Sequence, residues 1–200
     1  MHPSIFDMMK ELKIEVDYQP DLAQADIQHH IGKYDGLLVR GKKITQEILA
    51  KADNLKFIGR AGAGLDNIDV AYAEEKGITL FKAPEGNRDA VAEHTVGLIL
   101  GLLNKLRLAD IEVRSNVWDR EGNRGFELGG KTVGIIGYGY MGEAFSKRLS
   151  GFNCKVIAYD KFKSNFTNKW VEQVELDTIF KETDIPVSYT HLTLPTTSRV

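Results

Sequence analysis

The stretch from Lys131 to Asp160 limits the possible folds more than any other part of the chain. It reads KTVGIIGYGYMGEAFSKRLSGFNCKVIAYD. An apolar run leads into Gly-Tyr-Gly-Tyr-Met-Gly, and a helix-like segment and a second apolar run follow, ending at the acid. Strand, glycine turn, helix, strand and acid in this order are typical of a dinucleotide-binding βαβ unit. The stretch therefore predicts parallel strands joined by a helix, with a nucleotide at the turn.

Each residue type in the turn has a physical reason. Gly137 permits the tight turn, Gly139 lets the backbone approach a pyrophosphate, and Gly142 lets the helix pack closely on the strand. The free N–H groups at the start of the helix, with the positive end of its dipole, then hold the phosphate. The Asp160 carboxylate can accept hydrogen bonds from a ribose diol and repels a 2′-phosphate, which favours NAD over NADP. Glycines that serve packing alone are the alternative.

Composition excludes other classes. The chain has 200 residues, a net charge of −2 and no basic block, so neither nucleic acid nor an anionic membrane is expected as a partner. Its single cysteine, Cys154, excludes an internal disulfide and fits a reducing compartment. No signal peptide and no apolar run of about 18 residues is visible. We expect a cytoplasmic α/β protein without a metal site.

Strands and helices alternate before the glycine turn. The predicted strands are 14–18, 36–39, 55–58 and 78–81, and the predicted helices are 5–12, 21–34, 44–50 and 70–76. This alternation predicts a parallel sheet with right-handed crossovers. An α/β domain normally begins with a strand, whereas this chain begins with a helix, so we expect its first strand to be missing.

The sequence predicts two domains. Ala-Pro-Glu-Gly-Asn at 83–87 breaks the alternation, and Asn87 can cap a long helix that runs to about Leu106. Its predicted apolar face comprises Val91, Thr95, Leu98, Ile99, Leu102, Leu103 and Leu106. Helix is expected to continue over 109–117, with a polar loop to Leu128. The domains are therefore 1–86 and 87–186.

A second turn suited to an anion follows the strand at 55–58. It reads Gly-Arg-Ala-Gly-Ala-Gly at 59–64. Small residues let backbone N–H groups point at a ligand carboxylate, and Arg60 supplies charge and a bidentate fork. An ordinary strand-to-helix turn with a surface arginine is the alternative, and spacing does not decide between the two.

Four motifs together resemble the D-isomer-specific 2-hydroxyacid dehydrogenases. They are GRAGAGLDNIDV at 59–70, APEGNRDAVAEHT at 83–95, WDREGNRGFELGGKTVGIIGYGYMG at 118–142 and VIAYD at 156–160. The resemblance covers about residues 2–185 and implies two Rossmann-like parallel-sheet domains, one flavodoxin-like and one NAD-binding, with the active site in the cleft between them. Both domains are expected to be incomplete.

The resemblance also implies roles for single residues. The backbone around Arg60, Ala61 and Gly62 would receive the substrate carboxylate, and Arg60 could meet a substrate phosphate. Tyr140 and Met141 would present N–H groups to the NAD pyrophosphate. The long helix would join the domains and contribute to a homodimer, or to a homotetramer.

The family's catalytic arginine, glutamate and histidine would all fall beyond residue 200, so no catalytic residue is expected in this chain. From Val187 the sequence leaves the family pattern and reads VSYTHLTLPT, which resembles a transposon sequencing adaptor translated in frame. We therefore expect 187–200 to be a non-native tail, and His191 not to be catalytic. A genuine divergent tail is the alternative.

The predicted function follows from the family. The chain is expected to be an inactive fragment of an NAD-dependent oxidoreductase that acts on a D-2-hydroxyacid, with 3-phosphoglycerate of serine biosynthesis as the favoured substrate. Glyoxylate, lactate or erythronate phosphate are alternative substrates. A non-enzymatic NAD(H)-sensing module and a methyltransferase using S-adenosylmethionine are the alternatives from other classes.

Overall fold

A computed structural model describes residues 4–189. The chain divides into two compact units between Ala83 and Pro84, here called the first and the second unit. Each unit is built on a parallel sheet with helices between its strands. The predicted α/β class with two parallel-sheet units is confirmed, while the exact extents of the two domains stay predictions.

The first unit alternates short helices with three strands. Its elements are α1 (Ser4–Glu11), α2 (Ile27–His30) between 3₁₀ turns at Gln24–Asp26 and Ile31–Lys33, β1 (Gly36–Val39), α3 (Gln46–Ala50), β2 (Phe57–Arg60), α4 (Val70–Glu75) and β3 (Thr79–Lys82). The strands lie in the order β1-β2-β3, and Val39 pairs with Arg60, which pairs with Lys82. The carboxyl ends of all three strands therefore share one sheet edge.

Apolar residues from its helices, strands and loops build the core of this unit. The buried set comprises Ile27, Ile31, Val39, Ile44, Ile48, Leu49, Ala52, Leu55, Ile58, Ile68, Ala73 and Ile78. The Asp69 carboxylate caps α4 by accepting a hydrogen bond from the Tyr72 N–H at 3.1 Å. Gly77, at a φ of 72°, ends that helix in the left-handed conformation, as its position predicts.

Several predicted boundaries in the first unit are wrong. The strands predicted at 55–58 and 78–81 begin two and one residues later, and the helix predicted at 21–34 begins at Gln24 and is largely 3₁₀. Residues 14–18 form no strand, and the side chains of Ile14, Val16 and Tyr18 lie 42 to 48% exposed. Their alternation is only half of a strand signal, because a strand also needs a neighbouring strand, and neither sheet within residues 4–189 includes 14–18.

The second unit begins with a helix pair and continues as a βαβ fold. Its elements are α5 (Arg88–Leu103), α6 (Leu106–Arg114), β4 (Thr132–Ile136), α7 (Tyr140–Arg148), a 3₁₀ turn (Leu149–Gly151), β5 (Lys155–Tyr159), β6 (Glu172–Gln173), α8 (Leu176–Glu182) and β7 (Ile185–Ser188). The sheet order is β6-β5-β4-β7, with every pair parallel. Counted along this unit the order is 3-2-1-4, as in a nucleotide-binding Rossmann half.

The glycine helix and the long helix pack together beside this sheet. Val133, Ile135 and Phe145 are fully buried at the centre of the cluster. At its edge the Arg148 guanidinium lies 3.1 Å from both the Asp89 and the Glu93 carboxylates and so ties α7 to α5. The hydrogen bond to Glu93 is the largest contribution that raises the pKa of Arg148.

The long helix predicted to reach Leu106 ends instead at Leu103. Lys105 has a φ of 50°, which breaks the helix before α6 begins. The Phe126 N–H donates to the Leu103 carbonyl at 3.0 Å, so the 118–128 loop caps the helix where apolar spacing alone predicts that it continues. Of the predicted apolar face, Ile99 is buried, but three leucines are 58 to 79% exposed: Leu98, Leu102 and Leu106.

The end of the described chain belongs to the second sheet. Val187 and Ser188 complete β7, and the Tyr189 N–H donates to the Ile136 carbonyl at 2.9 Å. The rest of the segment expected to be non-native, including His191, lies outside the described residues, and its origin stays a prediction. Among residues 4–189 no helix is both long enough and apolar enough to cross a membrane.

Candidate functional site

The glycine turn after β4 has the geometry that its sequence predicts. Gly137 takes a φ of 93°, which L side chains rarely adopt, and its N–H donates to the Tyr159 carbonyl at 2.8 Å. A Cβ added to Gly142 would lie 2.6 Å from the Gly137 carbonyl oxygen, so only glycine lets α7 approach this closely. A Cβ at Gly139 would meet nothing within 4 Å, so that position borders open space.

The start of α7 fits an anion. The first bond within the helix joins the Glu143 N–H to the Gly139 carbonyl at 3.0 Å. The N–H groups of Tyr140 and Met141 precede this donor and lack intrahelical acceptors by helix geometry. The N-cap is a glycine, so no side chain caps the helix. An external oxygen acceptor such as a diphosphate matches these free donors and the positive end of the dipole.

Asp160 lies at the carboxyl end of β5, and its carboxylate is held by backbone donors. One oxygen accepts from the Tyr138 N–H at 2.7 Å, and the other accepts from Phe162 and Lys163 at 2.8 and 2.9 Å. The carboxylate therefore joins the glycine turn to the segment after β5. Cofactor binding by these residues stays a prediction, to which the structure adds a defined orientation for the acid.

In the first unit, two of the predicted substrate-binding N–H groups already have acceptors. The Ala61 N–H donates to the Val39 carbonyl and the Gly62 N–H to the Arg60 carbonyl, both at 2.8 Å. By contrast, Arg60 Nε is buried and has no hydrogen-bond partner among the described residues. A buried donor without an acceptor is costly, and a bound anion would supply one. The Arg60 side chain therefore supports the predicted anion-binding site more directly than the Ala61 and Gly62 amides do.

Gly62 has a second role that its spacing does not reveal. A Cβ at this position would fall 1.6 Å from a terminal nitrogen of the Arg60 guanidinium, so the arginine lies across the glycine. Because the obstacle is the end of a flexible side chain, a methyl group here would displace the guanidinium rather than break the fold. Gly62 therefore fixes where the positive charge lies.

Motif spacing does not identify two further cations at the same edge. Arg40 directly follows β1, Arg60 ends β2 and Lys82 ends β3. Ligands of open parallel sheets bind outside the carboxyl ends of the strands. The signal for Arg40 and Lys82 is their shared position after predicted parallel strands, not a motif. Three cations on adjacent strand ends suit a ligand with more than one negative charge.

The remaining reactive side chains among the described residues give no second site. Burial raises the pKa of the half-buried Cys154 thiol, whose sulfur lies 3.9 Å from the Leu149 carbonyl oxygen. A buried thiol of this kind is a packing group rather than a nucleophile. Within residues 4–189, no group of three or more His, Cys, Asp or Glu side chains could hold a metal ion.

The Rossmann strand order, the positive-φ glycine and the acid at the end of β5 define a dinucleotide-binding α/β protein. A family model described as "D-isomer specific 2-hydroxyacid dehydrogenase, catalytic domain" matches residues 1–198. The chain belongs to this family, which is a family of oxidoreductases.

Named relatives carry different activities. The chain is 40% identical over 178 residues to a hydroxypyruvate reductase of Thermotoga maritima, covering 88% of this chain and 58% of the relative. It is 36% identical over 182 residues to a D-3-phosphoglycerate dehydrogenase of Archaeoglobus fulgidus, covering 90% and 34%. The chain thus spans between about a third and somewhat over half of the length of these relatives.

A solved structure agrees with the fold. The NAD-dependent formate dehydrogenase from Staphylococcus aureus, in complex with NAD, has a TM-score of 0.80 and 27% identity to this chain. The match covers 94% of this chain and 57% of that one.

Proposed function

We propose that this chain is part of an NAD-dependent oxidoreductase that transfers a hydride between NAD and a D-2-hydroxyacid, with 3-phosphoglycerate of serine biosynthesis as the substrate. The observation that carries the cofactor assignment is the uncapped start of α7 beside a carboxylate fixed at the end of β5. NAD would supply the acceptor for the hydride when bound.

The chain's own residues bind and orient the cofactor in this proposal. The N–H groups of Tyr140 and Met141 hold the diphosphate, and Gly137, Gly139 and Gly142 keep side chains away from it. Asp160 accepts from both hydroxyls of the adenosine ribose diol and repels a 2′-phosphate. The proposed preference is therefore NAD over NADP.

The phosphorylated substrate is proposed from the edge of the first sheet. A D-2-hydroxyacid brings one carboxylate, which can accept from Arg60 Nε, a donor that has no partner among the described residues. Arg40 and Lys82 add two positive charges on the neighbouring strands, more than an unphosphorylated acid needs. Their number favours 3-phosphoglycerate over hydroxypyruvate, glyoxylate or lactate.

Cofactor binding tests the first part of the proposal. Calorimetry on the 200-residue chain should detect binding of NADH. NADPH should bind more weakly, because its 2′-phosphate is repelled by the Asp160 carboxylate. S-adenosylmethionine should not bind. Binding of S-adenosylmethionine and no binding of NADH would contradict the proposed dehydrogenase function and favour a methyltransferase.

Substrate binding is tested with a matched pair of arginine variants. Arg60→Gln should weaken 3-phosphoglycerate binding about tenfold or more, as the loss of a charge-assisted hydrogen bond to the ligand predicts. Arg124→Gln removes an arginine that is paired with Glu121 on the surface of the second unit, and should change nothing. Equal affinity for D-glycerate and 3-phosphoglycerate in the wild type would remove the argument for a phosphate.

Activity and assembly are the last parts of the proposal. The family's catalytic arginine, glutamate and histidine are assigned to no residue of this chain, so purified chain should bind NADH but turn over no 2-hydroxyacid. Turnover would contradict that assignment, whereas NADH binding without any hydroxyacid binding would favour an NAD(H)-sensing module. The exposed Leu98 and Leu102 on α5 support the proposal that the whole protein is a homodimer. The proposed compartment is the cytoplasm.

A further inference from the structure

The second residue of the glycine turn, Tyr138, is almost fully buried, with a relative exposure of 1%. Such turns need small residues at the glycine positions, but nothing in phosphate binding requires a buried phenol between them. We propose that Tyr138 is a positioning residue that holds the Asp160 carboxylate in place and thereby sets the discrimination between NAD and NADP. The inference rests on the proposed cofactor.

A directed chain of hydrogen bonds fixes the Tyr138 side chain. The Ser146 hydroxyl, fully buried on α7, donates to the Glu143 carbonyl at 3.0 Å. Because that proton is in use, the Tyr138 hydroxyl must be the donor in its 3.0 Å contact with Ser146 Oγ. The Tyr138 oxygen then accepts from Asn168 Nδ2 at 3.3 Å. Both hydroxyls of this hydrogen-bonded series, on Tyr138 and Ser146, therefore have a donor and an acceptor partner.

The ring of Tyr138 makes a second connection to the segment after β5. It stacks on Phe166 with the ring centroids 4.5 Å apart and the planes 19° from parallel. The Lys163 ammonium lies 5.2 Å from the Tyr138 centroid and 3.8 Å from the Glu143 carboxylate. The side chain thus contacts the 161–171 segment in several places, although it belongs to the glycine turn.

The main chain of the same residue holds the acid. The Tyr138 N–H donates to one Asp160 oxygen, while the N–H groups of Phe162 and Lys163 hold the other. The turn and the 161–171 segment are therefore clamped twice, by the Asp160 carboxylate and by the Tyr138 side chain. Loosening the side-chain contact frees the carboxylate to leave the position where it meets a ribose hydroxyl or repels a 2′-phosphate.

Removing only the hydroxyl tests this coupling. Tyr138→Phe should weaken NADH binding about tenfold, the equivalent of one hydrogen bond to the ribose, and should leave NADPH affinity unchanged or improved. The ratio of the two dissociation constants, measured by calorimetry, is the decisive quantity, because general loosening of the turn would weaken both ligands alike. Tyr34→Phe, a hydroxyl deletion in the first unit, is the control and should leave the ratio unchanged.

A second variant protects the test against a folding failure. Asn168→Ala removes the outer donor to Tyr138, together with the side chain's bonds to Phe166 and Trp170 in the same segment, and leaves the buried pair with Ser146 intact. It should lower the ratio of the NADPH to the NADH dissociation constant, as Tyr138→Phe does. An unchanged ratio in both variants, or equal losses for both nucleotides, overturns the inference. Wild-type chain that does not bind NADH overturns the proposed function instead, and the two failures are thus distinguishable.

Discussion

Replacing Gly142 with alanine should destabilise the second unit, although alanine is the better helix former. The new methyl group would lie 2.6 Å from the Gly137 carbonyl oxygen and 3.3 Å from the Tyr138 ring. The oxygen belongs to a backbone that is itself fixed, since Gly137 has a positive φ and its N–H is bonded to Tyr159. The methyl group therefore cannot be accommodated by moving a flexible side chain.

Two opposing effects set the magnitude. Overpacking a well-packed site costs about 1–3 kcal/mol, and the contact with fixed backbone places this site in the upper part of that range. Replacing glycine with alanine within a helix stabilises the helix by about 1 kcal/mol. Gly142→Ala should therefore lower the free energy of unfolding by about 1–2 kcal/mol.

Urea unfolding followed by tryptophan fluorescence measures this loss. Both tryptophans, Trp118 and Trp170, lie in the second unit, so the signal reports that unit alone. Gly97→Ala is the matched control, because a Cβ there would meet nothing within 4 Å and should stabilise α5 by about 0.5–1 kcal/mol. If Gly142→Ala gains stability as the control does, the close approach of α7 to the turn is refuted.

Three further substitutions test the nucleotide site and two sources of stability. Gly139→Ala should leave the free energy of unfolding within about 0.5 kcal/mol of wild type and weaken NADH binding at least about tenfold in calorimetry. The reason is that its methyl group enters open space beside the diphosphate. An unchanged affinity for NADH would contradict the proposed site. Arg148→Gln should cost about 1 kcal/mol or less, since its acidic partners are exposed, and a double-mutant cycle with Glu93→Gln should show the coupling. Burial raises the pKa of the Cys154 thiol in the folded protein. The stabilisation from keeping this thiol neutral is therefore fully present below its ordinary pKa of 9.0, and it is lost as the pH rises through the folded-state pKa. Cys154→Ala should reduce the fall in unfolding free energy between about pH 8 and about pH 10, and an equally steep fall would contradict this assignment.

Local signals in the sequence predict the glycine turn well. The apolar runs, the glycines and the acid all lie within one βαβ unit, and their order along the chain identifies that unit although Asp160 bonds Tyr138 across 22 residues. Long-range pairing accounts for the errors elsewhere. The alternation of Ile14 to Tyr18 predicts a strand, but pairing requires a neighbour. The end of α5 at Leu103 depends on a donor from Phe126, more than twenty residues away in the chain.

The candidate sites show the same division. Sequence spacing identifies Asp160 and Arg60, but it does not show that three N–H groups hold the acid or that Arg60 Nε has no partner within residues 4–189. Arg40 and Lys82 become visible only when the parallel register places their strands side by side. A pattern of residue types thus predicts which groups are present, whereas folding determines which of them are already satisfied.

The three backbone donors on Asp160 have a consequence for how a nucleotide binds. An ionised carboxylate offers about four acceptor positions, so about one is left for a ligand. A ribose diol that donates twice must therefore take the place of one amide, at Phe162 or Lys163. Nucleotide binding thus exchanges one backbone N–H donor of the 161–163 turn for a ribose hydroxyl. Hydrogen–deuterium exchange at these two amides should accordingly increase on adding NADH, although most bound ligands slow exchange around their sites.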